Sequence, residues 1–311
     1  EADRICTRIR DLMRNQVKRG GVVVALSGGI DSSVTAALSV RALGRERVIG
    51  LEMPERHSAR ETLALSGKVA GALGIPTLVE DISGILQSVG FYEKYDSAVR
   101  MVVPEYGDGW ASKIVISAVA NQPRFTSFYL VTQNGQKVQS TVRLPLQPYL
   151  EIVAATNFKQ RIRKMLEYYH ADRLNYAVAG TPNRLEYDQG FFVKLGDGAA
   201  DIKPIAHLYK SQVYQLAEFL GIPEEIRSRK PTTDTYSLAQ GQDEFYFSLP
   251  YQMMDLCLYA RNHGVPAESA APVLGLEPQQ VLMVYRDIDT KRKTTRYLHL
   301  PPLLVEDVEW E

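Results

Sequence analysis

The sequence predicts an α/β protein built on a mostly parallel, doubly wound sheet. Short apolar runs alternate with segments of helical spacing, a glycine-rich turn follows the first apolar run, and the alternation resumes in the second half of the chain. Strands that alternate with helices pair in parallel, and their right-handed crossovers place helices on both faces of the sheet.

The first half of the chain supplies three strands and their connecting helices. An amphipathic helix is predicted over 1–19, where Gly20 and Gly21 end it. The strands are predicted at 22–26, 48–53 and 77–81, and the helices between them at 34–43 and 59–73. Residues 22–26 are apolar throughout, which is typical of a strand that is covered on both faces.

The second half continues this pattern after an interruption. We predict a helix over about 157–170, a strand at 175–179 and a helix at 210–220. Between the halves, two strand-like runs flank Asn134-Gly135, a dipeptide that strongly favours a β-hairpin. We therefore expect an inserted subdomain over 92–150, with its hairpin at about 124–146, within a single domain of residues 1–311.

Composition excludes several classes of protein. The 36 basic and 36 acidic residues cancel, which argues against a broad nucleic-acid interface. We find no apolar run near the roughly 20 residues of a membrane span and no signal segment. Cys6 and Cys257 stand in no metal or dithiol motif, and their expected state is a buried free thiol. We expect a cytoplasmic protein that binds neither membranes nor nucleic acid.

The turn after the first strand reads Ser-Gly-Gly-Ile-Asp-Ser-Ser at 27–33. Two glycines allow a tight turn, and the following helix presents free backbone N–H groups and the positive end of its dipole. With the serine hydroxyls, this predicts an anion cradle. The carboxylate of Asp31 suits such a cradle if a divalent cation joins it to phosphate oxygens. The alternative is a plain tight turn with a carboxylate at a helix start.

Further motifs follow this loop in a fixed order. They are Asn-Phe-Lys-Gln-Arg-Ile-Arg at 157–163, Gly-Thr-Pro-Asn-Arg-Leu-Glu at 180–186, Gly-Phe-Phe-Val-Lys-Leu-Gly-Asp-Gly-Ala-Ala-Asp at 190–201, Leu-Tyr-Lys at 208–210 and Lys-Pro-Thr-Thr-Asp at 230–234. The loop resembles the pyrophosphatase loop of enzymes that split ATP into an adenylate and pyrophosphate. The whole series resembles the NH3-dependent NAD synthetase family, whose fold is adenine nucleotide alpha hydrolase-like and Rossmann-like.

The resemblance implies an ATP-dependent ligase that joins ammonia to a carboxylic acid. It implies attack of the carboxylate on the α-phosphorus of ATP, release of pyrophosphate, and displacement of AMP by ammonia. The favoured acid is deamido-NAD, which would become NAD. The resemblance further implies Mg²⁺, a homodimer, and ammonia that is either free or delivered by a separate glutaminase chain.

The resemblance also assigns residues to roles. Those expected to bind ATP are Ser27, Gly28, Gly29, Asp31, Ser32, Ser33, Arg161, Thr181, Lys210 and Thr232. Three of these, Asp31, Lys210 and Thr232, are expected to act in catalysis. Those expected to bind the acid are Lys194, Asp197, Asp201, Lys291 and Arg292. Asp31 and Glu186 are the expected Mg²⁺ ligands.

The resemblance weakens on the acid side. Ala199 replaces a family glycine, the late His-Lys-Arg motif lacks its histidine at Thr290, and the extra segment with the hairpin has no family counterpart. Two alternatives therefore stay open. One is a ligase of this family that acts on a different carboxylic acid, and the other is a non-catalytic nucleotide-binding relative.

Overall fold

The structure is a computed structural model that describes residues 1–58, 60–116, 127–229, 232–233, 235–238, 240–241, 246–247 and 249–309. Its strands are β1 (Val22–Ala25), β2 (Val48–Glu52), β3 (Thr77–Val79), β4 (Ala111–Ile116), β5 (Phe128–Gln133), β6 (Gln139–Arg143), β7 (Ala177–Ala179), β8 (Thr232–Thr233) and β9 (Gln240–Gly241). Its α-helices are α1 (Ala2–Asp11), α2 (Ile30–Leu43), α3 (Arg60–Leu73), α4 (Ser83–Ser88), α5 (Phe91–Arg100), α6 (Leu146–Leu174), α7 (Arg184–Gln189), α8 (Lys210–Phe219), α9 (Glu224–Arg227), α10 (Tyr251–Asn262), α11 (Ala267–Leu274) and α12 (Pro278–His299).

A parallel sheet carries the fold, which confirms the predicted class. Its strand order is β3-β2-β1-β7, and all three pairings are parallel. Side chains alternate between its faces, because successive residues of a strand point in opposite directions. Val22 and Val24 belong to a core with α1, α2 and α8, whereas Val23 belongs to a core with α5 and α6. Helices therefore cover both faces of β1.

The predicted hairpin is present as part of a larger sheet. β5 and β6 pair antiparallel across the Asn134-Gly135 turn, and β4 adds a third antiparallel strand that the sequence analysis did not predict. Ile114 and Leu130 form the buried centre of this sheet. Residues 124–126 of the predicted hairpin lie outside the described residues. The subdomain limits 92–150 and the single-domain organisation stay predictions.

Two helices differ most from their predicted bounds, and α2 also begins earlier, at Ile30 instead of 34. The first helix is α-helical only to Asp11 and continues as a π-helix over Leu12–Val17, ending at Lys18 in the left-handed region. α6 begins at Leu146, directly after Pro145, and not near 157. Its buried residues are distributed around the helix, so no single apolar stripe marks its start.

The C-terminal helices form a third core. Leu258, Val281 and Ile288 are among the buried residues that join α10, α11 and α12. α10 also contacts α8, and α12 contacts α7, so this unit packs against helices that follow the parallel strands. Within the described ranges, no helix combines the length and apolarity needed to cross a membrane.

Candidate active site

The predicted phosphate loop joins β1 to the start of α2. Gly28 has a φ of +67°, and a Cβ there would lie 2.9 Å from the Leu65 Cβ of α3. A side chain is therefore disfavoured both by the backbone conformation and by the close approach of α3. Ser33 N donates to Gly29 O at 3.2 Å, the first backbone bond of α2. The amides before it lie in the first turn, where a helix leaves N–H groups without intrahelical partners.

Serine hydroxyls fix the shape of this loop. The backbone N–H of Ser27 donates to Ser32 Oγ at 3.3 Å, and Gly29 N donates to Ser27 Oγ at 3.3 Å. Ser32 Oγ and Ser33 Oγ both donate to Gly29 O, at 3.0 and 2.8 Å. The loop is therefore held in its turn by its own side chains.

A charged cluster lies at the head of α2. Asp31 Oδ2 accepts a hydrogen bond from Lys210 Nζ, and Asp31 Oδ1 accepts one from Asn183 Nδ2 at 3.0 Å. The same Asn183 donates its backbone N–H to Glu186 Oε2 at 3.0 Å. One asparagine thus connects two carboxylates that the sequence separates by over 150 positions.

Burial and charge together tune Lys210, whose side chain is 1% exposed. Burial alone would lower the pKa of its ammonium, but the carboxylates of Asp31 and Glu186 outweigh that effect and raise it. Lys210 therefore stays charged at neutral pH. Because Asp31 and Lys210 compensate each other, removal of either leaves a buried charge without its main partner.

Asp255 of α10 fixes the start of α8. Its carboxylate accepts hydrogen bonds from Lys210 N at 3.1 Å and from Ser211 N at 2.7 Å. These are first-turn N–H groups, so the carboxylate satisfies them as a cap from a distant helix. Lys210 is positioned by this contact as well as by its bond to Asp31.

A cavity of about 1120 Å³ opens beside this cluster. The loop, the ends of β2 and β7, one side of α6 and the second half of α12 line it. The inserted sheet also contributes, through Ile116 and Phe128. Phe128 stacks on Tyr149 of α6 with ring centroids 4.1 Å apart. The cavity thus runs from the phosphate loop to the insertion.

Two buried ion pairs lie along α6. Lys164 Nζ lies 2.7 Å from Glu167 Oε2, and both residues line the cavity. Lys159 Nζ lies 2.7 Å from Glu55 Oε1 and donates to Thr235 O at 3.1 Å. The second pair joins α6 to the loop after β2 and to the segment 235–238. Burial would raise the pKa of the Glu55 carboxyl, but Lys159 outweighs it and lowers it.

The predicted ATP-site residues fall into three groups. Those that line the cavity are Ser27, Gly28, Gly29, Asp31, Ser32, Thr181, Glu186 and Lys210. Ser33 lies behind the loop, and Arg161 is exposed, with its Nε donating to Lys194 O at 3.3 Å. The side chain of Thr232 lies outside the described part of the chain.

The predicted acid-site residues are split in the same way. Asp197 and Lys291 line the cavity, and burial raises the pKa of the first and lowers that of the second. Lys194 donates to Tyr297 O and Leu300 O on the surface, and Asp201 accepts from Val178 N at 2.7 Å. Arg292 forms a bidentate pair with Asp188 outside the cavity. The roles of these residues stay predictions.

The sequence analysis assigned no role to Asn183 or Asp255. Asn183 forms a capping box with Glu186, in which each side chain bonds the backbone of the other. The Asn-x-x-Glu spacing at the start of α7 was the available signal. Asp255 had no local signal for its role, because it caps a helix 44 residues away.

Comparisons with known proteins show the family of this chain. The sequence profile of the NAD synthase family matches residues 1–105 and 129–297. The chain belongs to the NAD synthase family. It is 56% identical over 308 residues to the NH(3)-dependent NAD(+) synthetase of Mesorhizobium japonicum, covering 99% of this chain and 97% of that protein. The corresponding Rhizobium meliloti protein is 58% identical over 309 residues, covering 99% and 92%.

A solved NAD synthetase shares the fold. The structure of the NH3-dependent NAD synthetase from Campylobacter jejuni, in complex with nitrate, superposes with a TM-score of 0.63 at 22% identity, covering 98% of this chain and 97% of that one. The match to the NAD synthase family is interrupted at 106–128, which spans β4 and ends at the cavity residue Phe128. Apart from Phe128, the hairpin strands β5 and β6 lie within the matched ranges, and the two relatives cover 99% of this chain, so the expectation that the segment with the hairpin has no family counterpart is wrong for the hairpin.

Proposed function

We propose that this protein is an ATP-dependent C–N ligase that converts deamido-NAD and ammonia into NAD, with release of AMP and pyrophosphate. The cluster of Asp31, Asn183, Glu186 and Lys210 at the phosphate loop is the observation that carries this proposal. Its relatives at 56% and 58% identity are NH(3)-dependent NAD(+) synthetases.

The chemistry needs an activated acid, because a carboxylate oxygen is too poor a leaving group for ammonia to displace. The carboxylate of deamido-NAD attacks the α-phosphorus of ATP, and the bond to pyrophosphate breaks. The loop amides and the charged Lys210 stabilise the negative charge that develops on the leaving pyrophosphate. Ammonia then attacks the acyl carbon, and AMP leaves with the former carboxylate oxygen.

The residues present fit a Mg²⁺ ion. This cation prefers oxygen ligands, one or two carboxylates and substrate phosphates. Asp31 and Glu186 are two carboxylates fixed by one asparagine at the head of α2, where phosphates are expected. We propose that they hold the ion. When bound, Mg²⁺ would neutralise charge on the phosphate oxygens.

We further propose a homodimer that completes the acid site. Arg161 and Lys194, which the family resemblance assigns to substrates, are not among the described residues that line the cavity, and Arg161 Nε donates to Lys194 O. The exposed side of α6 carries three large apolar side chains, Leu150, Met165 and Tyr169, each more than half exposed. Exposed apolar surface of this kind is typical of an interface.

Ammonia source and compartment are also proposals. We propose that the protein uses free ammonia or ammonia from a separate glutaminase. We propose a cytoplasmic location, since Cys6 and Cys257 are free and buried, which fits a reducing compartment.

The direct test supplies ATP, ammonium, Mg²⁺ and deamido-NAD and measures NAD and pyrophosphate. We expect both products in equal amounts, and neither when the acid is omitted. Pyrophosphate release with another carboxylic acid, but not with deamido-NAD, would replace the proposed substrate. ATP binding without pyrophosphate release with any acid would favour a non-catalytic relative.

The homodimer is tested by Leu150→Lys, which places a charge on the exposed side of α6. We expect the wild-type chain to sediment as a dimer and the variant as a monomer that binds ATP but no longer binds the acid. A monomeric wild type with full activity would exclude the dimer. Glu151→Lys, an exposed neighbour on α6, is the control for added charge.

A further inference from the structure

A second pocket, of about 480 Å³, lies on the other side of α7 from the large cavity. Arg184, Tyr187 and Asp188 share one face of α7 and line the pocket, whereas Glu186 lines the large cavity. The loop before α8 and the end of α12 supply the remaining lining residues, which are Lys203, Ala206, His207 and His299. None of these seven residues is among the described residues that line the large cavity. The pocket is therefore a separate site.

Arg184 is a cation without a carboxylate partner in the part of the chain that the structure describes. Its guanidinium carbon lies 5.2 Å from the centroid of the Tyr209 ring. Its Nε is buried and has no hydrogen-bond acceptor among the described residues. A guanidinium keeps its charge at any physiological pH, and a buried N–H without an acceptor costs free energy. An anion that entered the pocket would supply both the missing charge and the missing acceptor.

Lys203 is a second cation of this kind. Its Nζ donates to Gly198 O at 2.6 Å and lies 4.7 Å from the centroid of the Tyr187 ring. An ammonium has three N–H donors, so a backbone oxygen and a ring face satisfy it only in part. Burial, and after it the ammonium of Lys164, lower the pKa of Lys203. The protein therefore compensates less of this charge than water would.

The carboxylates near the pocket are already engaged by other cations. Asp188 accepts hydrogen bonds of 2.6 and 2.8 Å from the guanidinium of Arg292. Glu1 Oε1 lies 2.8 Å from His207 Nε2. The two cations described above therefore leave the pocket with about two uncompensated positive charges, which a dianion would match.

We propose that this pocket binds a phosphate group, as free phosphate or as a phosphate monoester, with Arg184 and Lys203 as its cationic contacts. The planar guanidinium can bond two phosphate oxygens at once, and the ammonium adds a point charge. A phosphate monoester carries close to two negative charges at neutral pH, whereas a single carboxylate carries one. The site goes beyond the proposed function, because the proposed reaction takes place in the large cavity and assigns no role to either residue.

The experiment measures binding of inorganic phosphate and of AMP by calorimetry, at pH 8 and constant ionic strength. The phosphate loop is first saturated with Mg²⁺ and α,β-methylene-ATP, which cannot release pyrophosphate. The pocket variants are Arg184→Met and Lys203→Met, each of which removes one cation. The control is Arg45→Met, which removes an exposed arginine paired with Glu46. Thermal unfolding without phosphate checks that each variant is folded.

We expect the wild type and Arg45→Met to bind one phosphate per chain, and each pocket variant to bind it at least about tenfold more weakly, as for a lost hydrogen bond to a charged group. Tighter binding of AMP would identify a monoester as the ligand, and equal binding would identify the phosphate group alone. No binding by the wild type, or binding that neither substitution weakens, would overturn the proposal. If one pocket variant does not fold, the other decides.

His299 reports on the pocket independently of binding strength. Burial, and after it the ammonium of Lys203, lower its pKa, whereas the carboxylate of Asp188 raises it. A bound dianion stabilises the protonated imidazole, so we expect phosphate to raise the pKa of His299 in an NMR titration of the wild type. An unchanged pKa of His299 in the protein saturated with phosphate would place the anion elsewhere and overturn the proposal.

Discussion

The two ends of the cavity are built differently. At the phosphate end, Ser27–Ser32 lie in the turn after β1 and the start of α2, and Glu186 lies in α7, the first helix after the adjacent strand β7. At the far end, the wall consists of α6, α12 and the inserted sheet, which meet only after the chain has folded back. Ligands of parallel sheets bind outside the carboxyl ends of strands, and only the phosphate end follows that rule directly.

The phosphate end of the cavity is therefore of a general kind, whereas the far end can vary between related enzymes. The phosphate end uses backbone amides and a few fixed charges, which suit any triphosphate. The far end is lined by side chains such as Phe128, and we propose that their shape discriminates among acids. Variation between related enzymes can therefore concentrate in the insertion without disturbing the phosphate loop.

The largest effect is expected from Asp31→Asn at the phosphate end. The substitution keeps the shape but removes the charge that opposes Lys210 and that we propose binds Mg²⁺. We expect pyrophosphate release to fall at least about a thousandfold. Pyrophosphate release and thermal unfolding are both measured on this variant and on the wild type. Retained turnover in a folded variant would show that Asp31 has neither role.

A second test concerns the buried pair that joins α6 to the loop after β2. Lys159→Met leaves Glu55 buried without its cation, and we expect a loss of about 3 kcal/mol in the free energy of unfolding. Urea unfolding measures it. The control is Lys68→Met in the exposed pair with Glu225, where at most about 1 kcal/mol is expected.

The buried pair also makes a prediction for the double variant. Glu55→Gln combined with Lys159→Met removes both charges, so we expect it to be more stable than Lys159→Met alone. If Lys159→Met and Lys68→Met lowered the free energy of unfolding equally, this would contradict the view that the Glu55–Lys159 pair holds the loop after β2.

The aromatic wall of the far end is tested by Phe128→Ala. Because Phe128 stacks on Tyr149 inside the cavity, we expect the KM for the acid to rise about tenfold while the KM for ATP changes less than about twofold. Steady-state kinetics with each substrate varied in turn measures this. Val138→Ala, in the exposed turn region of the same insertion, is the control. Equal changes in both KM values would remove the distinction between the two ends.

A last test leaves the cavity itself and concerns the support beneath Lys210. Cys257 lies two residues after Asp255, and burial raises its pKa to about 11. Only the thiolate reacts with alkylating reagents, so at pH 8 we expect alkylation about a hundredfold slower than in the unfolded chain. Mass spectrometry of Cys257 after iodoacetamide treatment measures it. Fast labelling of the native protein would show that this core opens readily.

Local sequence patterns predicted the elements that form the phosphate end of the cavity. The apolar run before the loop, its two glycines and the ordered downstream motifs indicated the parallel sheet and the positions of Asp31, Glu186 and Lys210. β4 was missed, and the residues that cross between elements were missed as well. Asp255 and the Glu55–Lys159 pair join segments 44 or more positions apart, so no spacing along the chain marks them.

The sequence alone determined the alternation of strands and helices, the glycine turn and the family, because each depends on neighbouring residues or on an ordered series of motifs. Only the tertiary structure decided which side chains share the cavity. Arg161 and Lys194 proved to lie on the surface, while Glu52 and Phe128 line the interior. The physical reason is that burial and charge pairing depend on packing between distant segments, which local spacing does not encode.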